Sequence, residues 1–276
     1  MPELPEVEVI CRGIRPFLLN RTIREIHHSG KKLRRDVPVT ALNEELINSR
    51  VAAVERRAKY LLIRFDTSAL LIFHFGMTGN LGIFSPHSPT AKHDHLRLRL
   101  DNETELRFND TRRFGSISLI RPGEQGTVER DFFKNSGPEP FTDKFSGKYL
   151  QQLAKGKQQP VKVFIMTSRT VAGIGNIYAS ESLFAAGIRP SRKIKQISLQ
   201  SWNRLAAEIR KVLKEAISCG GSTISDFVNA SQEKGYFQMN FKVYGRSGES
   251  CLKCSSSIKK QTIGGRASYY CPKCQK

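Results

Sequence analysis

Residues 95–108 read HLRLRLDNETELRF. Leu96, Leu98 and Leu100 alternate with His95, Arg97 and Arg99, and Leu106 and Phe108 resume the same period beyond the turn DNET at 101–104. A period of two puts successive side chains on opposite faces of an extended chain, so this stretch predicts two half-buried antiparallel strands joined by a tight turn. YLLIRF (60–65) and ALLIFHF (69–75), joined by DTS, predict a second hairpin. Residues 22 to about 121 read throughout as short strands, which predicts a β-sandwich or flattened barrel.

Upstream of the strands, MPELPEVEVI (1–10) opens a helix. Val7, Ile10, Ile14, Phe17 and Leu18 recur at three- and four-residue steps and give one apolar stripe. Pro5 suits the first helical turn, where its missing N–H has no partner to lose, and acids there complement the helix dipole. This accounts for Pro5, Glu6 and Glu8 but not for Pro2 and Glu3. Downstream, residues 121–147 replace alternation with Gly, Pro and charge, as an interdomain linker does. Beyond it the period is helical. NIYASESLFAAG (176–187) predicts a short helix stopping at Gly187, with Pro190 just after it. Trp202, Leu205, Ala206, Ile209, Val212, Leu213, Ala216 and Ile217 predict a long helix, capped by Ser198 and closed by Gly220. Two helices separated by a short turn and entered through GIGN (173–176) resemble a helix-turn-helix pair that grips a phosphate, although most helix pairs bind nothing.

The chain of 276 residues carries 45 Lys and Arg against 25 Asp and Glu, a formal charge of +20. Such an excess predicts a polyanionic partner, a nucleic acid before any other, against the plainer reading of a merely basic surface. A hydrophobic content of 39% suits two folded domains and argues against disorder. No run of about 18 apolar residues and no secretory leader is visible, so a cytosolic protein without a membrane partner is expected.

Six cysteines in that compartment are metal ligands or thiols before they are disulfides. Cys251-x2-Cys254, sixteen residues and then Cys271-x2-Cys274 match the paired knuckles of a four-cysteine zinc site. A redox dithiol is the competing reading, but no βαβ pattern surrounds either pair. Four sulfurs leave zinc no open position for water, so the ion is expected to be structural. Residues 240–276 hold eight basic side chains against the single acid Glu249, so the metal substitutes for a core and the hairpin between the knuckles presents positive charge. Cys11 and Cys219 read as packing residues on the two long helices.

Pro2 and Glu3 acquire a purpose if the chain terminus does chemistry. Removal of Met1 exposes a secondary amine. An α-amino group titrates at ~7.7–8.0 against ~10.4 for lysine, so its unprotonated fraction at neutral pH is of the order of a hundredfold larger. Such an amine attacks a sugar C1′ and yields an iminium with no N–H to lose, which draws electrons from C2′ and eases loss of the 3′ phosphate. Glu3 would protonate the opening sugar ring or take the C2′ proton, given burial that raises its pKa.

PELPEVE (2–8), RRAKYLL (56–62), HFGMTG (74–79), KHDH (92–95), DTRRFG (110–115), GIGNIYASESLFAAGIRP (173–190) and GRASYYCPKCQ (265–275) together resemble the bacterial formamidopyrimidine-DNA glycosylases, over nearly the whole chain. The resemblance implies Pro2 as the Schiff-base nucleophile and Glu3 as the general acid. Lys59, otherwise an exposed strand lysine, would contact phosphate and assist β-elimination; Arg266, otherwise a loop arginine between the knuckles, would hold the phosphate at the lesion and assist δ-elimination. Asn176, otherwise a helix cap, would join them in pinching the backbone. His93, Arg112 and Lys157 would be further DNA contacts, with the surroundings of Lys157 matching loosely. Met77, Arg112 and Phe114 would fill the space left by an extruded base, the alternative for Phe114 being core packing. Residues 220–237 would form a loop closing on the damaged base. Thr111, where the family commonly has proline, and Phe75, where leucine is usual, depart from the pattern; Thr111 would loosen the loop holding Arg112.

The expected architecture is therefore α+β. A β-sandwich domain with an N-terminal helix spans 1–130, a linker 131–150, a helical DNA-binding domain with a helix-two-turn-helix motif 151–240, and a zinc finger 241–276. The expected activity is excision of oxidised purines such as 8-oxoguanine and formamidopyrimidines from duplex DNA, with β,δ-elimination at the abasic site. The expected protein is a bacterial monomer associated with the nucleoid through DNA. Two alternatives stay open: an endonuclease VIII-like enzyme for oxidised pyrimidines, against which Leu4 and Phe114 speak, and a non-catalytic zinc-ribbon DNA binder, which has no use for Pro2 and Glu3.

Overall fold

The computed structural model describes residues 2–221 and 241–276, so the loop expected at 220–237 lies, beyond its first two glycines, outside the described residues. Two compact units are present: one runs to Lys134 and takes in Gly220 and Gly221, and the other comprises Asn135–Cys219 with the residues from 241 onward.

In the first unit, β1 (Ile23–His28), β6 (Asp94–Leu100), β7 (Glu105–Asp110) and β5 (Gly79–Phe84) form one antiparallel sheet in that order. The strands β2 (Val51–Arg57), β3 (Tyr60–Phe65), β4 (Leu70–His74) and β8 (Ser116–Ile120) form the other. The hairpins read from the alternation are in register, with Leu96 opposite Phe108, Leu98 opposite Leu106, and Leu61 opposite Phe73. The inward side chains of both sheets share one core with Val7, Ile10, Ile14 and Leu18 of α1 (Leu4–Leu18), and the Phe73 and Phe108 rings meet at 5.6 Å. Phe17, expected on the apolar stripe, is instead exposed, because one position before Leu18 it turns to the solvent side of the helix.

Two further expectations need correction. The run of strands is interrupted by α2 (Val39–Leu46), which buries Leu42 and Leu46; these two and Val39 do carry a helical spacing. The linker-like stretch is partly structured too. A π-helical turn at Gln125–Glu129 leads into α3 (Arg130–Phe133), and Phe132 and Phe133 pack edge-on against Tyr60 over the outer apolar face made by Leu62, Leu70, Ile72 and Ile120. A sheet apolar on both faces needs such a cover, and the Gly, Pro and charged residues around Phe132 and Phe133 hide it from a composition reading.

In the second unit, α4 (Gly147–Ala154), α5 (Val161–Met166), α6 (Asn176–Ala185) and α7 (Leu199–Ser218) precede the finger hairpin of β9 (Lys259–Ile263) and β10 (Arg266–Tyr270). Ser198 caps α7 by accepting the Ser201 N–H at 3.3 Å, and Gly220 follows the helix at φ 78°. Ile217 is half-buried; the rest of the expected apolar face is buried. The connection from α6 to α7 is longer than the short turn expected. It contains a 3-10 turn at Ile194–Gln196 and is pinned to the start of α5 by the N–H groups of Val161 and Lys162, which donate to the Arg192 and Pro190 carbonyls. Among the described residues no helix is long and apolar enough to cross a membrane.

Candidate active site and nucleic-acid interface

Glu3 is the residue before α1, and it makes a capping box: its side chain accepts the Glu6 N–H, and the Glu6 carboxylate accepts the Glu3 N–H at 2.8 Å. Pro2, Glu3 and Glu6 are all buried, so the start of the chain is fixed where most chains fray. Glu6 thus serves the cap rather than the dipole alone. One turn further, Glu8 bonds Arg56 at 2.8 Å, and Arg56 in turn donates to the Ala58 carbonyl at 3.2 Å. Burial pushes Glu8 up, yet the hydrogen bonds from Arg56 and Arg12 outweigh it and hold the carboxyl below its usual range. The helix carrying Pro2 and Glu3 is thereby tied to the turn carrying Lys59.

Lys59 does not lie in a strand as expected. With Ala58 it forms the two-residue turn between β2 and β3, since Arg57 pairs with Tyr60, and Ala58 adopts φ 54°. Such a turn lifts Lys59 to the sheet's end, where it is half-buried. His74 stands beside it, its ring 4.9 Å from that of Tyr60. Burial, with Lys59 and Arg34 adding positive charge, lowers His74 to about 4, so it is neutral at pH 7. Its Nδ1 accepts the Gly76 N–H at 3.2 Å, which leaves Nε2–H as the outward donor.

Met77 and Phe114 are exposed at 41% and 45%, which rules out core packing for Phe114. The Arg112 guanidinium lies 4.8 Å from the Phe114 ring centre. These three side chains, with Lys32, Arg34 and His74, line an open cleft of about 730 Å3. An exposed apolar pair beside several cations suits a partner with stacked rings and phosphates. Phe75 fills the core with its ring 6.2 Å from Phe108, so the departure from leucine is absorbed by packing. His93 is half-buried in the turn before β6. That turn is closed by Asp94, whose carboxylate accepts the Ala91 N–H and the Asn109 amide, both at 2.8 Å. The 85–89 loop before it is held by Arg107, a buried guanidinium that pairs with Glu105 at 2.8 Å and donates to the carbonyls of Ser85, Ser88 and Pro89.

In the second unit Asn176 is the first residue of α6; Gly175 occupies the cap position, so the plain capping role is not what Asn176 performs. Its Oδ1 accepts from Lys162 Nζ at 2.6 Å. Lys162 is fully buried and donates also to the Ala267 carbonyl and Ser268 Oγ, both at 2.8 Å. An ammonium only donates, so Asn176 must turn its oxygen inward and keep its NH2 group for an outside acceptor. Two of these three bonds, those to Ala267 and Ser268, fix β10 immediately after Arg266. Arg266 is not in a loop: it is the exposed first residue of β10, opposite Ile263, after Gly264 and Gly265 at φ 57° and 71°. Gly264 has no room for a side chain, since a Cβ there would come within 2.8 Å of Val163. Lys157 is exposed, with Nζ 5.8 Å from the Phe164 ring centre. Sequence reading missed Lys162, Arg56 and Arg107, all basic residues lost among 45 such side chains.

The sulfurs of Cys251, Cys254, Cys271 and Cys274 lie within 4.8 Å of one another, with 3.9 Å between Cys251 and Cys274 and 3.4 Å between Cys254 and Cys271. Zn–S bonds of about 2.3 Å in a tetrahedron require S···S separations of about 3.8 Å, so the cluster fits zinc. Burial, then the other three sulfurs, pushes the Cys274 thiol up to about 12. The N–H groups of Lys253 and Cys274 point at Cys251 and Cys271 sulfurs at 3.4 Å. The site holds one structural zinc. Around it the core is small, Phe184, Val243 and Ile258 joining the cysteines, and Glu181 of α6 accepts the N–H groups of Lys242, Val243 and Tyr244. Cys11 is buried with its thiol pushed up by that burial, an inert packing residue as expected.

Three family models match in chain order: the formamidopyrimidine-DNA glycosylase N-terminal domain over residues 1–117, the formamidopyrimidine-DNA glycosylase H2TH domain over 136–228, and a zinc finger found in FPG and IleRS over 248–276. A formamidopyrimidine-DNA glycosylase of Hahella chejuensis is 44% identical over 280 residues, all of both chains. Among solved structures, the Lactococcus lactis Fpg in complex with DNA containing an abasic site is similar with a TM-score of 0.90 at 31% identity, covering 99% of each chain. A MutM protein in complex with DNA containing carbocyclic 8-oxo-G matches with a TM-score of 0.89 at 31% identity, covering 100% of each. With every domain matched in order and relatives aligned from end to end, the chain belongs to the formamidopyrimidine-DNA glycosylase family.

Proposed function

We propose that this chain is a bifunctional DNA glycosylase and AP lyase of base-excision repair, acting on oxidised purines such as 8-oxoguanine and formamidopyrimidines in duplex DNA. The observation that carries the mechanism is the buried, capped start of α1, which holds Pro2 and Glu3 in place at the chain terminus. Once Met1 is removed, the Pro2 nitrogen attacks C1′; the N-glycosidic bond breaks, its electron pair leaves with the base, and Glu3 supplies the proton that opens the sugar ring. The resulting iminium acidifies C2′. Loss of that proton expels the 3′ phosphate, and a second elimination expels the 5′ phosphate before hydrolysis frees Pro2. Lys59 serves the first elimination and Arg266 the second, while Asn176 offers its NH2 group to a phosphate. His93, Arg112 and Lys157 add DNA contacts, and Met77, Arg112 and Phe114 occupy the space of the extruded base.

The division that goes with this reading is a catalytic domain at 1–130, a linker at 131–150, a helical domain at 151–240 and a finger at 241–276, and the packing of Phe132 and Phe133 on the outer sheet face supports running the first domain on through α3. The enzyme works as a bacterial cytoplasmic monomer, held at the nucleoid by its charge.

Reduction with borohydride in the presence of abasic-site DNA tests the chemistry. A covalent protein–DNA adduct on the Pro2 nitrogen is the expected product, and Pro2→Gly should reduce it. An adduct on a lysine instead, or none from protein whose Met1 is removed, would overturn the Schiff base.

A further inference from the structure

Asp110 closes β7 with its side chain fully buried, and among the described residues no Lys or Arg forms an ion pair with it. Its Oδ1 accepts the Thr78 hydroxyl at 2.5 Å, and its Oδ2 accepts the Gly115 N–H at 2.7 Å. The Thr78 oxygen passes the link on, accepting the Arg112 N–H at 3.0 Å. Thr78 directly follows Met77, and Gly115 directly follows Phe114. One carboxylate and one hydroxyl therefore clamp the turn bearing Met77 to the turn bearing Arg112 and Phe114.

The two turns also touch backbone to backbone. A Cβ on Gly76 would lie 2.3 Å from the Phe114 carbonyl carbon and 2.5 Å from the Gly115 nitrogen, and one on Gly115 would lie 2.9 Å from Asp110 Oδ2. His95 braces the carboxylate's own backbone. Its Nε2 is 3.0 Å from the Asp110 carbonyl, which can only accept, so Nε2 carries the proton and Nδ1 faces Ser29 Oγ at 3.0 Å.

We propose that Thr78 and Asp110 are positioning residues which lock Met77, Arg112 and Phe114 into one rigid wedge, so that the three side chains enter a duplex together rather than in turn. This rests on the wedge role given to those three residues above. A loosely held wedge loses most where the base to be displaced is stably stacked, and least where no base is present. The relay also gives the Arg112 N–H a hold that does not depend on the residue at 111, where Thr111 stands in place of the family's common proline.

Single-turnover rates on an 8-oxoguanine·cytosine duplex and on an abasic-site duplex, measured for wild type, T78V, T78S, D110N, F114A and T78V/F114A, test it. T78V and D110N should slow excision of 8-oxoguanine about tenfold, the scale of one lost buried hydrogen bond, and cleavage of the abasic duplex less than about twofold. T78S keeps the hydroxyl and should stay close to wild type. In the double variant T78V should add little to F114A, since both act through one wedge. Equal losses on the two substrates, or losses in T78V and F114A that multiply, overturn the relay while leaving the wedge in place. If F114A alone slows both substrates equally, the wedge reading fails and the relay falls with it. A T78V protein that does not fold would show no abasic cleavage, and D110N with T78S then decides between the same outcomes.

Discussion

At the scale of single residues, His74 shows what burial beside cations does to a titrating group. Its pKa falls from 6.5 to about 4, so the unfolded chain takes the proton first. Above pH 6.5 the ring is neutral in both states and has no effect on stability. As pH falls from 6.5 to about 4 the folded state loses ground, by of the order of 3 kcal/mol once the lower value is passed. His74→Asn, whose amide oxygen still accepts the Gly76 N–H, should therefore flatten the decline of the thermal midpoint across that window. Unchanged slopes in the variant would show that other groups dominate acid unfolding. Lys162 is buried too, and its amine donates to Asn176, Ala267 and Ser268, so its burial is matched by hydrogen bonds.

At the scale of elements, the finger is the part least able to stand without help. Its hairpin exposes Lys259, Lys260 and Arg266, while its buried apolar residues are few, Val243 and Ile258 with the half-buried Tyr269 against Phe184, and Ile263 and Tyr270 on the hairpin. Chelation of zinc, or Cys254→Ser, should abolish DNA binding while the sheets of the first unit keep their circular dichroism and their thermal transition. Simultaneous loss of both signals would mean that the units do not fold independently. Binding that survived chelation would remove Arg266 from the main anchors. The helix α1 has the reverse character, since its Glu8 and Arg15 are bonded to Arg56 and to the Val54 carbonyl of β2 as well as to its own turn. A terminus fixed by packing, a capping box and these cross-ties can carry chemistry that a frayed one cannot.

At the scale of the whole molecule, a charge of +20 supplies binding that is indifferent to sequence and sensitive to salt. Lys59→Met and Arg266→Met should each lower the slope of log K against log salt by about one, on damaged and undamaged duplex alike. Asn176→Ala and Lys162→Met should weaken binding without moving the slope, because the first is neutral and the second is buried away from any phosphate. Titrations at several salt concentrations separate the two kinds of loss. A slope change for Lys162→Met would place its charge at the DNA after all.

The local periods of the chain were enough to determine the hairpins at 60–75 and 95–108, the apolar faces of α1 and α7, and the zinc ligands, because each rests on neighbours within a few residues or on a short fixed spacing. Pro2 and Glu3 stood out in the sequence because the helix pattern left them unexplained, and the motifs around them carried the family; the capping box that Glu3 makes with Glu6 came only from the structure. What only the tertiary structure decided are the pairings between distant residues. Charge composition cannot say that Lys162 reaches Ala267 and Ser268, that Arg56 joins Glu8 to the Lys59 turn, or that Arg107 is buried under the 85–89 loop. Likewise Lys59 read as a strand residue and Arg266 as a loop residue, since a two-residue turn is set by the register of its flanking strands rather than by its own side chains. The linker reading of 121–134 gave way for the same reason: Phe132 and Phe133 find their use only on a sheet face assembled from residues 60–72 and Ile120.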